Sequence, residues 1–148
     1  TGTSHVTVRD FFHDVESALP EAVVVADMEA GLEHLSWAGG TLRHVDLLAI
    51  VALPQVKSLM TAARTLRLAR QLGIPCLGLV GSRPGRPGDE ERLGAFAAEH
   101  RVDLLAVVPR DEAVVEADRL GACVLDTAPD APAVAAVTGL AGRIHEFA

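Results

Sequence analysis

Aromatic residues are scarce in this 148-residue chain, which has no tyrosine, one tryptophan and four phenylalanines. Proteins that bind single-stranded nucleic acids stack the bases on aromatic side chains, so this scarcity argues against such a surface. Basic residues are also outnumbered: 13 lysines and arginines against 20 aspartates and glutamates give a net charge of −7. A nucleic acid or an acidic membrane surface calls for a basic patch. We therefore expect neither as a partner.

Long apolar runs are absent, and cysteines are few. No run reaches about 18 apolar residues, the length needed to span a membrane, and no signal-peptide pattern opens the sequence. We therefore expect a soluble, cytoplasmic protein without a membrane span. The two cysteines, Cys76 and Cys123, lie far apart in apolar stretches. Buried free thiols are the simpler interpretation, and a disulfide or a shared metal site is the alternative.

Lysine occurs once, at Lys57, and the residue before it is Val56. The phosphate-binding loop G-x-x-x-x-G-K-[ST] needs a lysine directly after a glycine, because that lysine pairs with nucleotide phosphates. The 148 residues therefore do not contain this motif. The sequence begins with Thr1 rather than methionine. We expect either a processed chain or the interior of a longer protein, which fits the missing loop.

Strand and helix patterns alternate through the rest of the sequence. Apolar runs predict strands at 22–26, 47–53, 76–80, 104–108 and 123–125. Helical spacing of apolar residues predicts helices near 6–19, 59–72, 89–100, 111–121 and 133–146, with Asp89 and Asp111 as caps. Strands that are each followed by a helix are typical of a parallel sheet covered on both faces. We predict one α/β domain over residues 1–148, a three-layer sandwich with a mostly parallel sheet.

The segment 22–36 carries the most informative pattern. Its apolar run ends in Asp27, and Gly31 follows four residues later in a short polar loop. Nucleotide switches use this layout, because a carboxylate at a strand end holds a Mg²⁺-bound water and a glycine lets backbone N–H approach the γ-phosphate. A strand-end turn or a helix cap is the alternative explanation of Asp27.

A second segment, Pro109-Arg110-Asp111, follows the strand predicted at 104–108. Ligands of open α/β sheets bind at the carboxyl ends of the strands. Asp27–Gly31, Pro54 and this segment all follow predicted strands, so we expect them to line one edge of the sheet. Taken alone, the segment is also explained by a helix cap with an incidental arginine.

The spelling Asp27-Met28-Glu29-Ala30-Gly31-Leu32-Glu33-His34-Leu35 resembles the switch segment of the deviant-Walker ATPases, which include the nitrogenase iron protein and the MinD and ParA proteins. It is most similar to the accessory ATPases that mature nickel-containing carbon monoxide dehydrogenase, whose D-M-E-A-G-x-E-H spelling it repeats. Val108-Pro109-Arg110-Asp111, followed by Ala117-Asp118, is similar to the iron protein's nucleotide-base loop. The resemblance covers roughly residues 6–146. It implies a P-loop NTPase-like fold that lacks the phosphate-loop strand.

The resemblance also implies roles for the matching residues. Asp27 would be the catalytic and metal-linked residue, holding the Mg²⁺-bound water and positioning the attacking water. Gly31 would offer backbone N–H to the γ-phosphate, and Glu29 and Glu33 would lie in the loop that reports nucleotide state to a partner. Pro109, Arg110 and Asp111 would border adenine and ribose. The implied cofactors are ATP and Mg²⁺, provided that a phosphate loop is supplied. The implied partners are a second copy in a homodimer that ATP closes, and a client metalloenzyme or another partner protein.

The chain departs from the family at several positions. Gly81, followed by Ser82 and Arg83, stands where the family has an adenine-reading asparagine, so tight adenine selection is not supported. The C-x-C metal motif of the maturation ATPases has no counterpart, and a surface position explains His34 more simply than metal binding. The missing strand would run between 22–26 and 47–53. Its absence predicts that these two strands close up directly or that another polypeptide fills the slot.

Two functional hypotheses follow. The first is a fragment of a MgATP-binding and hydrolysing switch domain that assists metallocentre assembly or partner switching and is inactive alone without the phosphate loop. The second is a non-catalytic interaction domain that keeps the fold and docks through the loop after Asp27 without binding ATP. Gly81 in place of asparagine favours the second hypothesis, and the intact switch spelling opposes it.

Overall fold

The computed structural model describes residues 14–15, 17–18, 22–28 and 45–146. Strands are formed by β1 (Leu47–Ala52), β2 (Cys76–Ser82) and β3 (Asp103–Val108). Helices are formed by α1 (Val56–Gln71), α2 (Asp89–His100), α3 (Glu112–Arg119), α4 (Val124–Thr127) and α5 (Pro132–His145). Residues 14, 15, 17 and 18 are helical, in agreement with the helix predicted near 6–19.

The sheet has the order β1-β2-β3, and both pairs are parallel. Leu47 pairs with Cys76 at one end of the β1–β2 ladder, and Ala52 pairs with Gly81 at the other. The β2–β3 ladder ends with the pair Ser82 and Val108. A helix follows each strand, so the predicted parallel α/β fold is confirmed.

The core lies between the sheet and the helices α1 and α2. Helix α1 buries Leu59, Ala62, Leu66 and Ala69 at helical spacing, and α2 buries Leu93, Phe96 and Ala97. Their partners on the sheet include Ile50, Ala52 and Leu79. Because side chains alternate between the faces of a strand, Val51 points away from this core, and it is 68% exposed.

The C-terminus of α1 forms a backbone motif that ends the helix and is also bonded to the neighbouring helix α2. Gly73, the residue after the C-cap, has a φ of 75°. Its N–H donates to the carbonyl of Arg70, and the N–H of Ile74 donates to the carbonyl of Ala69. This pair of bonds is a Schellman motif. The guanidinium of Arg70 also donates to the carbonyls of His100 and Arg101, at the C-terminus of α2. One arginine therefore joins the ends of two neighbouring helices.

Helix α5 packs against β3 and is tied to its backbone. Nη1 of Arg143 donates to the carbonyl oxygens of Leu104 and Leu105 at 2.9 and 2.7 Å. Strand β3 is at one end of the three-stranded sheet. Arg143 therefore satisfies two carbonyls of an edge strand, which reduces the tendency of such an edge to pair with other chains.

Two predicted strands are wrong. Residues 22–28, which include Ala22–Ala26, form no strand, and Val25 is 83% exposed. A strand needs a hydrogen-bonded neighbour, and none of the described strands pairs with this segment. Cys123–Leu125 is not a strand either, because its chain turns into α4, where Thr127 and Ala128 donate to the carbonyls of Cys123 and Val124.

The predicted cap at Asp89 is also wrong. Gly88 is the N-cap of α2 with a φ of 86°, and Asp89 is the first helical residue. Its Oδ2 instead accepts hydrogen bonds from the backbone nitrogens of Gly85 and Arg86, each at 2.9 Å. Asp89 therefore closes the preceding loop rather than the helix.

The cysteines are free thiols, as the simpler interpretation predicts. Cys76 is half-buried and Cys123 is exposed, so the expected burial of the second thiol is wrong. Among the described helices, none is long and apolar enough to cross a membrane.

Candidate functional site

The carboxyl ends of the three parallel strands meet at one edge of the sheet. Leu53 follows β1, and its N–H donates to Oγ of Ser58 in the first turn of α1 at 2.9 Å. Arg83 follows β2, and its N–H donates to the carbonyl of Val108 at 2.8 Å. The segments after β1 and β3 therefore share an edge, as predicted, and Arg83 is hydrogen-bonded to the residue before Pro109.

Asp111 holds the segment after β3 in place. Its Oδ1 accepts from the backbone nitrogen of Ala113 at 2.9 Å, which caps α3 as predicted. Its Oδ2 accepts from the backbone nitrogen of Ala133 in the first turn of α5, at 3.0 Å. Both contacts place negative charge at a helix N-terminus, where the helix dipole favours it. One carboxylate therefore caps two helices.

Arg110 lies at the surface beside this carboxylate. Its Nη2 is 3.2 Å from Oε1 of Glu112, and the two side chains are 68% and 77% exposed. An exposed pair of this kind contributes little to stability. The guanidinium therefore remains accessible to a ligand at the sheet edge.

Gly81, near the end of β2, has no room for a side chain. A Cβ built on it would lie 2.6 Å from Cδ1 of Leu93, a fully buried residue of α2. The nearest atom of Val107 is 3.4 Å away. A larger side chain at this position would collide with Leu93 unless the core shifts.

The side chains that end β2 are Ser82, which is half-buried, and Arg83, which is exposed. Arg83 has a φ of 51°, in the left-handed region that L-residues with a Cβ seldom adopt. Sequence reasoning treats Arg83 only as a loop residue. The available signal was its position directly after a buried strand in a parallel sheet.

Asp27 is not brought to this edge by a strand. It is exposed and lies in the irregular segment 22–28. Glu29 and Gly31, the other switch residues, lie outside the described residues, as does His34. The roles of all these residues, and of Pro109, Arg110 and Asp111 in binding a cofactor, stay predictions.

No group of three or more histidines, cysteines, aspartates or glutamates in the described part of the chain could hold a metal ion. Mg²⁺ in nucleotide sites is commonly bound through one or two carboxylates, substrate phosphates and waters. An exposed carboxylate such as that of Asp27 could hold one of the waters bound to Mg²⁺. One carboxylate alone does not form a metal site.

Comparison with known proteins places the chain among ATPases, although no family model matches it. It is 36% identical over 125 residues to the carbon monoxide dehydrogenase accessory protein CooC of Rhodospirillum rubrum. The matched residues make up 84% of this chain and 46% of that protein. It is 39% identical over 101 residues to an uncharacterised ATP-binding protein of Methanocaldococcus jannaschii, 68% of this chain and 38% of that protein.

Solved structures agree. The cell division protein MinD of Aquifex aeolicus matches 95% of this chain with a TM-score of 0.79 at 15% identity, over 60% of its own length. MinD of Pyrococcus furiosus matches the same share with a TM-score of 0.71 at 20% identity, over 58% of its length. At these identities the likeness concerns the fold. Together with the CooC match it confirms the predicted resemblance.

The chain belongs to the deviant-Walker ATPase family. It spans less than half the length of the curated relatives named above, 46% and 38%. Within the family, its described residues cover the three strands and the helices that follow the switch segment. The activity and partners of the whole protein are therefore matters for proposal.

Proposed function

We propose that this chain forms part of a deviant-Walker domain that binds and hydrolyses MgATP. It would contribute the switch segment, Asp27–Gly31, and the segment beside the nucleotide base, Pro109-Arg110-Asp111. The observation that carries the proposal is the double contact of Asp111 with Ala113 and Ala133. Because this carboxylate is held by two helix N-termini, the Pro109-Arg110-Asp111 segment has a defined position at the carboxyl edge. A wall of a nucleotide-base pocket needs such a position, since preorganised groups bind without an ordering cost.

In this proposal Asp27 positions the attacking water, and Glu29 and Gly31 contribute to the γ-phosphate side. Bound Mg²⁺ would neutralise charge on the phosphates, with Asp27 as an outer carboxylate. The 148 residues contain no phosphate loop, so on their own they lack the electrostatic clamp that phosphoryl transfer requires. We expect the 148-residue chain alone to hydrolyse no ATP.

Calorimetric titration tests the proposal. MgATP would be titrated into the longest natural form of the protein, including any residues encoded before Thr1, and separately into the 148-residue chain. We expect saturable binding by the first, and an Asp27→Asn variant that still binds but hydrolyses ATP at least about 100-fold more slowly. Absence of binding at millimolar nucleotide would reject the proposal.

The likeness to CooC supports a more specific role, in which the domain assists assembly of a metallocentre in a client enzyme. The protein would act as a homodimer that closes on ATP. Light scattering with and without a non-hydrolysable ATP analogue tests the dimer, which should form or tighten with the analogue. The nickel content of carbon monoxide dehydrogenase produced with and without this protein tests the client, and equal content would reject that role.

The second candidate is a non-catalytic interaction domain. It is supported by Gly81, which has no side chain to contact a base and whose added Cβ would lie 2.6 Å from Cδ1 of Leu93. Under this candidate the longest natural form binds no nucleotide, and Asp27→Asn behaves as the wild type. The titration described above separates the two candidates.

A further inference from the structure

Two arginines in the described residues have left-handed backbone conformations, Arg83 with a φ of 51° and Arg101 with a φ of 49°. Arg101 is the C-cap of α2, where helices commonly end in this conformation. Arg83 follows a strand, so helix termination does not explain it. Glycine adopts this conformation without the steric cost of a Cβ, so an arginine here is kept at a cost.

Strained residues cluster at ligand sites, and an observed outlier is a valid starting point for a functional hypothesis. Arg83 lies at the carboxyl edge of the sheet, where ligands of open α/β folds bind. Its backbone is bonded to Val108, directly before Pro109. No carboxylate among the described residues forms an ion pair with Arg83, although the chain carries a net charge of −7.

The polar groups where β2 and β3 end differ in whether they already have a partner. The guanidinium of Arg110 is paired with Glu112, and both oxygens of Asp111 accept backbone hydrogen bonds. The exposed guanidinium of Arg83 has no such partner among the described residues. The hydroxyl of Ser82 can donate or accept, so it does not discriminate between an amino and an oxo group. A ligand that presents acceptor atoms to Arg83 is therefore favoured.

We propose that Arg83 is a base-side contact of the nucleotide, donating hydrogen bonds to acceptor atoms on the purine edge. The inference rests on the proposed function, which puts the Pro109-Arg110-Asp111 segment at the base and ribose. Guanine presents two acceptors, N7 and O6, to an arginine fork, whereas adenine presents N7 beside an amino group. The site therefore accepts MgGTP at least as readily as MgATP.

The test compares Arg83→Gly with Arg101→Gly in the longest natural form of the protein. Each variant removes one arginine and relieves one positive φ, but Arg101 lies at the opposite, amino-terminal edge, before β3. Both variants should fold with melting temperatures at or near that of the wild type, because glycine suits both positions. This matched pair separates a binding role from a general effect of charge or strain.

Calorimetry would use MgATP, MgGTP and magnesium tripolyphosphate, which has no base. We expect Arg83→Gly to weaken MgATP and MgGTP binding by at least about tenfold, more for MgGTP, and to leave tripolyphosphate binding and the Arg101→Gly affinities unchanged. Wild-type affinity of Arg83→Gly for both nucleotides would overturn the inference, as would an equal loss for tripolyphosphate or a wild-type protein that rejects MgGTP. If the wild type binds none of the three, the proposed function itself fails, which is a distinguishable result.

Discussion

Oδ2 of Asp111 lies 3.0 Å from the backbone nitrogen of Ala133, which is 22 residues further along the chain. The other oxygen of the same carboxylate caps α3 through Ala113. The contact therefore links the N-termini of α3 and α5 and holds the segment after β3 against the sheet edge. Asp111 has a structural role in addition to any contact with a ligand.

Replacing Asp111 by alanine should lower the free energy of unfolding by about 1–3 kcal/mol, because two amides at helix N-termini lose their acceptor. Asparagine has one carbonyl oxygen and should retain part of that stability. Urea denaturation measures both variants. Glu112→Ala is the control, since Glu112 makes an exposed ion pair with Arg110, and it should change stability by less than about 0.5 kcal/mol. An equal loss for both alanine variants would contradict the double cap.

Gly81→Ala should destabilise the protein by about 1–3 kcal/mol, because the new methyl group overpacks the core against Leu93. Shortening the side chain of Leu93 should relieve the clash. Gly81→Ala should therefore lower the free energy of unfolding less in a Leu93→Ala background than alone. The four proteins form a double-mutant cycle measured by chemical denaturation.

Gly94→Ala in α2 is the control for this cycle, since nothing lies within 4 Å of its added Cβ. It should stabilise the protein by about 0.5–1 kcal/mol, because alanine is the better helix former. Additive effects of Gly81→Ala and Leu93→Ala would show that the two positions do not meet.

Arg70→Ala should reduce stability by about 0.5–1.5 kcal/mol, because the carbonyls of His100 and Arg101 lose a charged donor. Arg67→Ala removes the same charge one turn earlier on α1, where its side chain is exposed, and should have a smaller effect. Thermal unfolding of the two variants at equal ionic strength gives the comparison. A larger loss for Arg67→Ala would exclude the proposed link between α1 and α2.

The carboxyl group of Asp89 should make stability depend on acidic pH. The hydrogen bond from the backbone of Gly85, together with that from Arg86 and the charges of Arg92 and Arg86, holds its pKa below the usual value of 3.8 despite partial desolvation. A carboxyl group whose pKa is lower in the folded state stabilises the fold above the unfolded pKa. That contribution is lost as the pH falls through the folded pKa.

The stability difference between the wild type and Asp89→Asn should therefore be larger near pH 6 than near pH 3. Urea unfolding across this range measures it. Glu90→Gln serves as the control for the loss of one acidic charge from the first turn of α2, because its carboxylate accepts no hydrogen bond from the described residues. A difference for Asp89→Asn that grows towards low pH would have the wrong sign.

Much of the fold was predictable because each central strand and helix has its own local signal. The apolar runs that became β1, β2 and β3 are bounded by Pro54, by the glycine- and proline-rich loop before Asp89, and by Pro109. The helical spacing of apolar residues over 59–72 predicted α1, which ends at Gln71. Such signals reflect burial and backbone conformation, which neighbouring residues largely determine.

Several of the failures concern interactions between distant parts of the chain, and others concern short segments whose local signals are ambiguous. The run at 22–26 has strand composition, but strand formation depends on a partner, which composition does not reveal. Residues 123–125 are too few to distinguish a short strand from one turn of helix. The approach of Leu93 to Gly81 and the second contact of Asp111 depend on tertiary packing, so a single sequence contains no sign of them.

The two arginine-bonded carbonyls of β3 have a consequence for how the sheet can extend. With Leu104 and Leu105 engaged by Arg143, an added strand would have to displace a charged side chain and the helix that carries it. Strand β1 lies at the other end of the sheet, and no side chain of the described residues is hydrogen-bonded to its backbone. The edge at β3 is therefore protected against pairing, whereas the edge at β1 is free to pair. We expect any strand added to this domain to join beside β1.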